Sequence, residues 1–420
     1  MNDYCHRPVQ KNETGGGDPL LSRRTFLQLG AGALIAWLTG CRRTGVAPAT
    51  TSPPSPTATA SATSSPSPLP ASTATSTAMP TTIPTATYPP PTPTATPIPP
   101  TYTPVTVTPT SPPPTTTPGP APTLNRATLM AHWPTTETSR VVVVRHSGVW
   151  TGDAPDPDIV FQMLDAGLSA LTDVSDPLAV WRTLFEPGEH VLLKVNCIAS
   201  GGPTQPVVTY AVARRLKDAG LPGENILIFD RRDHELVTAG YKLNEGEPGI
   251  QCHGSRGEGT EAVLTQATVR LYKELDDCDA IINIPTPKQH GGAGVSVSLK
   301  NHYGSVDRPG ALHGDWCDPA IAELNARPTV RDKTRLVVGA ALNVSPLGWE
   351  QPERENALLL SFDPVALDTV ARDILVRHRQ ERGQHAGFLI DGARHLSTAQ
   401  TLSLGATEAS LIDLREVTLG

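Results

Sequence analysis

Residues 190–230 read HVLLKVNCIASGGPTQPVVTYAVARRLKDAGLPGENILIFD, a strand, a helix and a second strand in that order. The apolar run at 190–196 is too short for a helix and too continuous for a strand with one wet face. It predicts a strand buried on both sides. Residues 206–219 carry apolar side chains at helical spacing, with Pro206 at the first position and Gly220 as the stop. Residues 225–230 repeat the buried-strand pattern. A strand, a crossover helix and a further strand make the repeating unit of a parallel sheet.

The alternation continues outward. Residues 140–145 predict a strand and 156–171 a helix. Further strands are expected at 280–284, 335–340 and 357–362. Asp363-Pro364 opens another helix, with Asp as N-cap and Pro at the first helical position. The expected fold class is α/β, a three-layer domain with a mostly parallel central sheet and helices on both faces, spanning residues 126–420.

Two other segments precede that domain. Ser22-Arg23-Arg24-Thr25-Phe26-Leu27 has the form of a twin-arginine export signal, and the apolar stretch after it ends on Leu38-Thr39-Gly40-Cys41, a lipobox. The stretch is shorter than the about 20 apolar residues that span a bilayer, and it suits a signal-peptide core. Residues 1–41 are therefore expected to engage the twin-arginine translocase and the lipoprotein-processing machinery. Cys41 would take the lipid and tether the chain to the outer face of the cell membrane, giving an extracytoplasmic location. Residues 42–125 read as a disordered Pro/Thr/Ser-rich linker, because from Thr44 to Asn125 there is no charged residue and little apolar content. Its Pro-rich runs favour an extended conformation at about 3.1 Å per residue, which makes a contour of roughly 200 Å possible for the linker.

Charge excludes one class of partner. The chain has 34 basic and 41 acidic residues, six and three of them in residues 1–43. The remaining 28 and 38 give the domain a formal charge of −10. Nucleic acid is not an expected partner, since phosphate-backbone binding needs a basic face.

Ligands of such sheets sit beyond the carboxyl ends of the strands, which selects the loops after Asn196, Asp230 and Ile284. Lys194 lies inside an apolar strand, and Asp230 closes the next one. Glycine-rich residues 199–206 lead to a helix N-terminus suited to an anion. The densest polar segment runs from Lys288 and His290 through Lys300, Asn301 and His302 to His313. Lysines neutralise phosphate or carboxylate, and imidazoles bind metals or move protons. Lys194, Asp230, Lys288, His290, Lys300 and His313 are thus the catalytic candidates. Asn196, Thr204 and Asn301 are the cofactor-binding candidates, and His290 with His313 the metal candidates. A metal ion or an iron–sulfur cluster is a candidate cofactor, with Cys197 and Cys317 beside the polar cluster. No two of Cys197, Cys252, Cys278 and Cys317 have C-x-x-C spacing, and outside the cytoplasm their even number favours disulfides.

Leu193-Lys194-Val195-Asn196, Thr204-Gln205-Pro206, residues 285–290, Ser298-Leu299-Lys300-Asn301-His302-Tyr303-Gly304, His313 and Ser361-Phe362-Asp363-Pro364-Val365-Ala366-Leu367-Asp368 together resemble the domain of unknown function 362 family. The resemblance covers about residues 140–417 and implies a shared site without naming its chemistry. Some relatives carry ferredoxin-like cluster domains, and this chain has no such cysteine run. The functional expectation is a surface-tethered lipoprotein, a cofactor- or metal-containing enzyme acting on an anionic small molecule. The alternatives are a non-catalytic ligand-binding lipoprotein and, last, an adhesive surface domain. Export of an already folded protein favours the first.

Overall fold

Val141, Val142, Val143 and Val144 are all buried, and so is every residue of the strands Val191–Val195 and Ala280–Ile284. Such strands have to be covered on both faces. The structure, a computed structural model, describes residues 105–106, 124–130, 138–198, 202–348 and 352–420. Arg23, Arg24, Cys41 and nearly all of the linker lie outside the described residues, as do residues 199–201 of the glycine-rich loop.

The strands of the central sheet are β1 (Val105–Thr106), β2 (Ser139–His146), β3 (Val191–Val195), β4 (Ile226–Phe229), β5 (Gln251–His253), β6 (Ala280–Ile284), β7 (Thr334–Val344), β8 (Glu353–Ser361) and β9 (Ile412–Leu419). Their order across the sheet is β1-β9-β2-β8-β7-β6-β3-β4-β5. Only β8 runs against the rest among the described strands, pairing antiparallel with both β7 and β2. The sheet is thus mostly parallel, in a three-layer α/β fold. Val105–Thr106, inside the segment expected to be linker, pairs parallel with Arg415–Glu416 and so occupies that edge of the sheet.

Successive strand residues point to opposite faces, so each strand feeds two cores. Val142, Leu193 and Ile282 pack beneath the helices Pro157–Thr172, Pro177–Leu184 and Pro206–Asp218. Val141, Leu192 and Ile281 belong to the other core, with the helices Pro364–Glu381 and Arg394–Thr401. The first helix comes so close that a Cβ on Gly167 would meet Leu360 Cδ1 at 2.5 Å. Gly220, at φ +110°, ends the helix Pro206–Asp218 as its position suggests.

The Ser361–Asp368 motif turns out to hold the fold together. Asp363 Oδ1 accepts from Val365 N and Ala366 N, capping the helix Pro364–Glu381. Its Oδ2 accepts from Ser139 Oγ at 2.5 Å and Ala406 N at 2.9 Å. Asp368 accepts from Ser298 N and Leu299 N and so fixes the start of the short helix Ser298–Asn301, which carries Lys300. An Asp363→Ala variant loses the cap and strands two buried groups. It should lower unfolding stability by about 3 kcal/mol, measured by urea unfolding.

The disulfide expectation is corrected: all four described cysteines are free and buried. Cys197 and Cys252 belong to one core, Cys278 and Cys317 to the other, with the sheet between them. Cys252 stands on β5 and Cys197 lies two residues past the end of β3, and β4 separates those strands. Two strand spacings amount to about 9.6 Å, too far for a bridge. Among the described residues no three His, Cys, Asp or Glu side chains, Cys197 and Cys317 included, converge on a cluster site.

Candidate functional site

Lys194 projects from β3 into the core and is fully buried. Its ammonium donates to Asp230 Oδ1 at 2.9 Å, Val195 O at 2.6 Å and Asn301 Oδ1 at 3.3 Å, which uses its three protons. Asp230 directly follows β4 and also accepts from Cys197 N and Arg231 N. A chain of amides continues from there. Asn301 Nδ2 donates to Asn283 Oδ1 at 2.8 Å, and Asn283 Nδ2 donates to Ser298 O and points at His302 Nε2 at 3.2 Å. Burial, helped by Lys194, holds the His302 imidazole down at about 3, so it is neutral. With Nε2 accepting from Asn283, Nδ1–H donates to Ser305 Oγ. These groups are satisfied by one another, and their role is to lock three strand ends to the segment 298–305. Gly304 fits there because it lacks a Cβ, which would lie 2.5 Å from Asp230 Oδ1.

Thr204 is similarly occupied. Its hydroxyl donates to Ile284 O and accepts from Asn196 N, joining the loops after β3 and β6. Asn196 Oδ1 accepts from Lys288 Nζ at 2.8 Å, and Ile198 O and Gly202 O accept from the same ammonium at 3.2 Å. Lys288 begins the hairpin strand Lys288–His290, which pairs with Gly294–Ser296. Burial pulls its pKa down to about 8.

The remaining polar groups gather around Lys300. Lys300 is 6% exposed, and its ammonium lies 3.8 Å from the centre of the Tyr303 ring. Its other close contact is His313 Nε2 at 3.4 Å. His313 Nδ1 donates to Pro309 O, so in the neutral ring Nε2 is the acceptor that faces Lys300. The His290 ring is 5.4 Å from that of His313, and its Nδ1 accepts from Gly292 N, which leaves Nε2 as the donor. Burial lowers all three groups, with added repulsion from neighbouring charge for the histidines: Lys300 to about 8, His290 to about 3 and His313 to about 4. Among the described residues no carboxylate lies within ion-pair distance of Lys300.

Residues 191–373 match the family described as Domain of unknown function (DUF362). A thylakoid-associated protein of Synechocystis sp. is 27% identical over 236 residues, 51% of this chain and 72% of that protein. Among solved structures, a Thermotoga maritima protein gives a TM-score of 0.31 at 14% identity. The match covers 60% of this chain, and this chain spans 60% of that one.

The fold thus brings Lys288, His290, Lys300 and His313 to one end of the sheet. Lys194, Asp230 and Asn301 form the scaffold beneath them. A metal centre does not fit. Among the described residues no three His, Cys, Asp or Glu side chains converge to hold one. His290 and His313 would have to share the metal with the Lys300 ammonium, and like charge opposes that.

Two contributors were missed. Asn283 is the one polar residue of the strand Ala280–Ile284, the same anomaly that singled out Lys194. His395 gave no signal, because a histidine at the start of the helix Arg394–Thr401 is unremarkable. It is fully buried, with neither ring nitrogen hydrogen-bonded. The close approach of Gly294 to Gly392 and Ala393 sets that helix start against the hairpin. Burial, then Lys300 and Arg372, lower His395 to about 3, so it is neutral when folded. Its usual value is near 6.5, so the folded protein loses stability as pH falls from about 6.5 towards 3. His395→Leu should raise stability by about 1–3 kcal/mol at pH 7, and by more at pH 5, in urea titrations at both pH values.

Proposed function

We propose that this DUF362 domain binds an anionic small molecule at the carboxyl end of its sheet and transfers a proton there. The carrying observation is the Lys300 ammonium, nearly buried, with a neutral imidazole and an aromatic face as its close contacts. A buried cation without an anionic partner is costly, and a ligand carboxylate or phosphate offsets that. The lysine is lowered to about 8 before a ligand binds, and His313 Nε2 accepts its hydrogen bond without taking the proton, since burial holds that imidazole at about 4. A lysine tuned towards neutral pH favours an enzyme over a passive binding protein. His290 Nε2–H would add a donor to the anion.

The chain is further proposed to work as a lipoprotein exported through the twin-arginine route and held by Cys41. The Arg23-Arg24 pair and the lipobox support this. No helix among the described residues is long and apolar enough to cross a membrane.

The test is unfolding of the full-length protein in phosphate, pyrophosphate, acetate and citrate at constant ionic strength, with chloride as reference. One of these classes should stabilise it progressively with concentration, as mass action requires. Equal stability in all of them would count against an anion site.

A further inference from the structure

His378 lies near the end of the helix Pro364–Glu381 and is clamped by β8 at both nitrogens of its ring. Nδ1 stands 3.0 Å from Glu353 Oε2, and Nε2 stands 2.7 Å from Glu355 Oε2. A neutral imidazole has one N–H and donates to one carboxylate, leaving a lone pair against the other. The imidazolium donates to both, so the geometry requires the protonated ring.

The surrounding charge agrees. Arg145 of β2 reaches Glu355 and also pairs with Glu416 of β9. From the helix itself, Arg377 pairs with Glu355 and Glu381, and Arg382, directly after it, pairs with Glu353. Four carboxylates thus meet three guanidiniums, and His378 supplies the fourth cation. The hydrogen bond to Glu355, against the cost of burial and with Glu353 adding to it, raises the imidazole above its usual value of 6.5.

Two contacts run from this clamp to the hairpin at the carboxyl end of the sheet. Arg379, the next residue, donates to Gln289 Oε1 at 2.6 Å and to Pro346 O at 2.8 Å, so the helix end holds the hairpin between Lys288 and His290. Pro352, next to Glu353, backs Gly202, whose carbonyl accepts from Lys288. A Cβ on Gly202 would lie 3.2 Å from Pro352 Cγ.

We propose that His378 with Glu353 and Glu355 forms a pH-sensitive latch, held by the imidazolium, that ties β8 to the helix end and steadies the hairpin carrying Lys288 and His290. Loss of the proton sets a lone pair against a carboxylate and loosens the tie. The sign is opposite to that of His395. A group raised in the folded state contributes in full below its usual value of 6.5, and the contribution is lost as pH rises through the folded value. The latch needs no ligand, and it stands whether or not Lys300 binds an anion.

The test is imidazole NMR of the full-length protein between pH 5 and pH 9, with His378→Gln used to assign the signal. His378 should titrate above 6.5, with both ring nitrogens protonated below its midpoint. Glu353→Gln should bring that midpoint down. The Gln289 side-chain amide should shift with the His378 midpoint in the wild type and not in His378→Gln. In urea, the wild type should lose its advantage over His378→Gln between pH 6 and pH 9, since titration of Lys288 and Lys300 is common to both. A His378 that titrates at or below 6.5, a Gln289 amide that ignores its midpoint, or an advantage equal at both pH values overturns the proposal. Where His378→Gln does not fold, Glu353→Gln assigns the signal by its shift, and the two wild-type NMR readouts decide.

Discussion

Asp230→Ala is expected to destabilise the domain by about 3–5 kcal/mol, the usual effect of removing one partner from a buried ion pair. The Lys194 ammonium would remain fully buried with two neutral acceptors, and Cys197 N and Arg231 N would lose theirs. Gly304→Ala should act on the same pair from outside, since the added Cβ would sit 2.8 Å from Lys194 Nζ. Removing both charges at once tests the explanation. A Lys194→Met, Asp230→Asn double variant should recover a large part of the loss, because replacing both ions by neutral groups is often close to neutral. Urea unfolding of the three variants gives the comparison. A loss below about 1 kcal/mol for Asp230→Ala, the range of an exposed pair, would return Lys194 and Asp230 to the list of groups free to act on a ligand.

Lys300→Met should behave in the opposite way, leaving the fold at least as stable and removing the function. Methionine fills the same channel over Tyr303 without an unneutralised charge. Anion affinity should fall by roughly 100-fold, the equivalent of the 2–5 kcal/mol lost when one member of a buried charged contact is truncated. The wild-type affinity should also depend on pH with a defined sign. The amine is held down at about 8, so the ammonium fraction and the affinity decline as pH rises past that value. Calorimetric titration of the anion selected above, at pH 7 and pH 9, measures both effects. A variant that binds as tightly as the wild type would remove Lys300 from the site.

Strand positions were legible in the sequence because burial on both faces writes itself as an unbroken apolar run. The direction of β8 was not legible, since an apolar run reads the same both ways and its reversal depends on the connection from β7. Lys194 was correctly marked as anomalous, but its partner lies 36 residues away on the neighbouring strand. Only the sheet order shows that the two cancel. The Ser361–Asp368 motif helps to carry the family resemblance, and its two carboxylates are structural caps. The cysteine expectation failed because counting thiols says nothing about which face of a sheet each one occupies. His395 stayed hidden because its character comes from what it lacks, a hydrogen-bond partner.

The central claim is that Lys300 is a buried ammonium waiting for an anion, and the most direct measurement is its own titration. Lysine side-chain NMR on the full-length protein, with Lys300→Met used to assign the signal, reports its pKa with and without ligand. The free protein should show Lys300 titrating near 8, and a bound phosphate or carboxylate should move it upward, towards or beyond the usual value of about 10.4. A Lys300 signal that titrates at the ordinary lysine value in the free protein, or that no anion shifts, would contradict the claim.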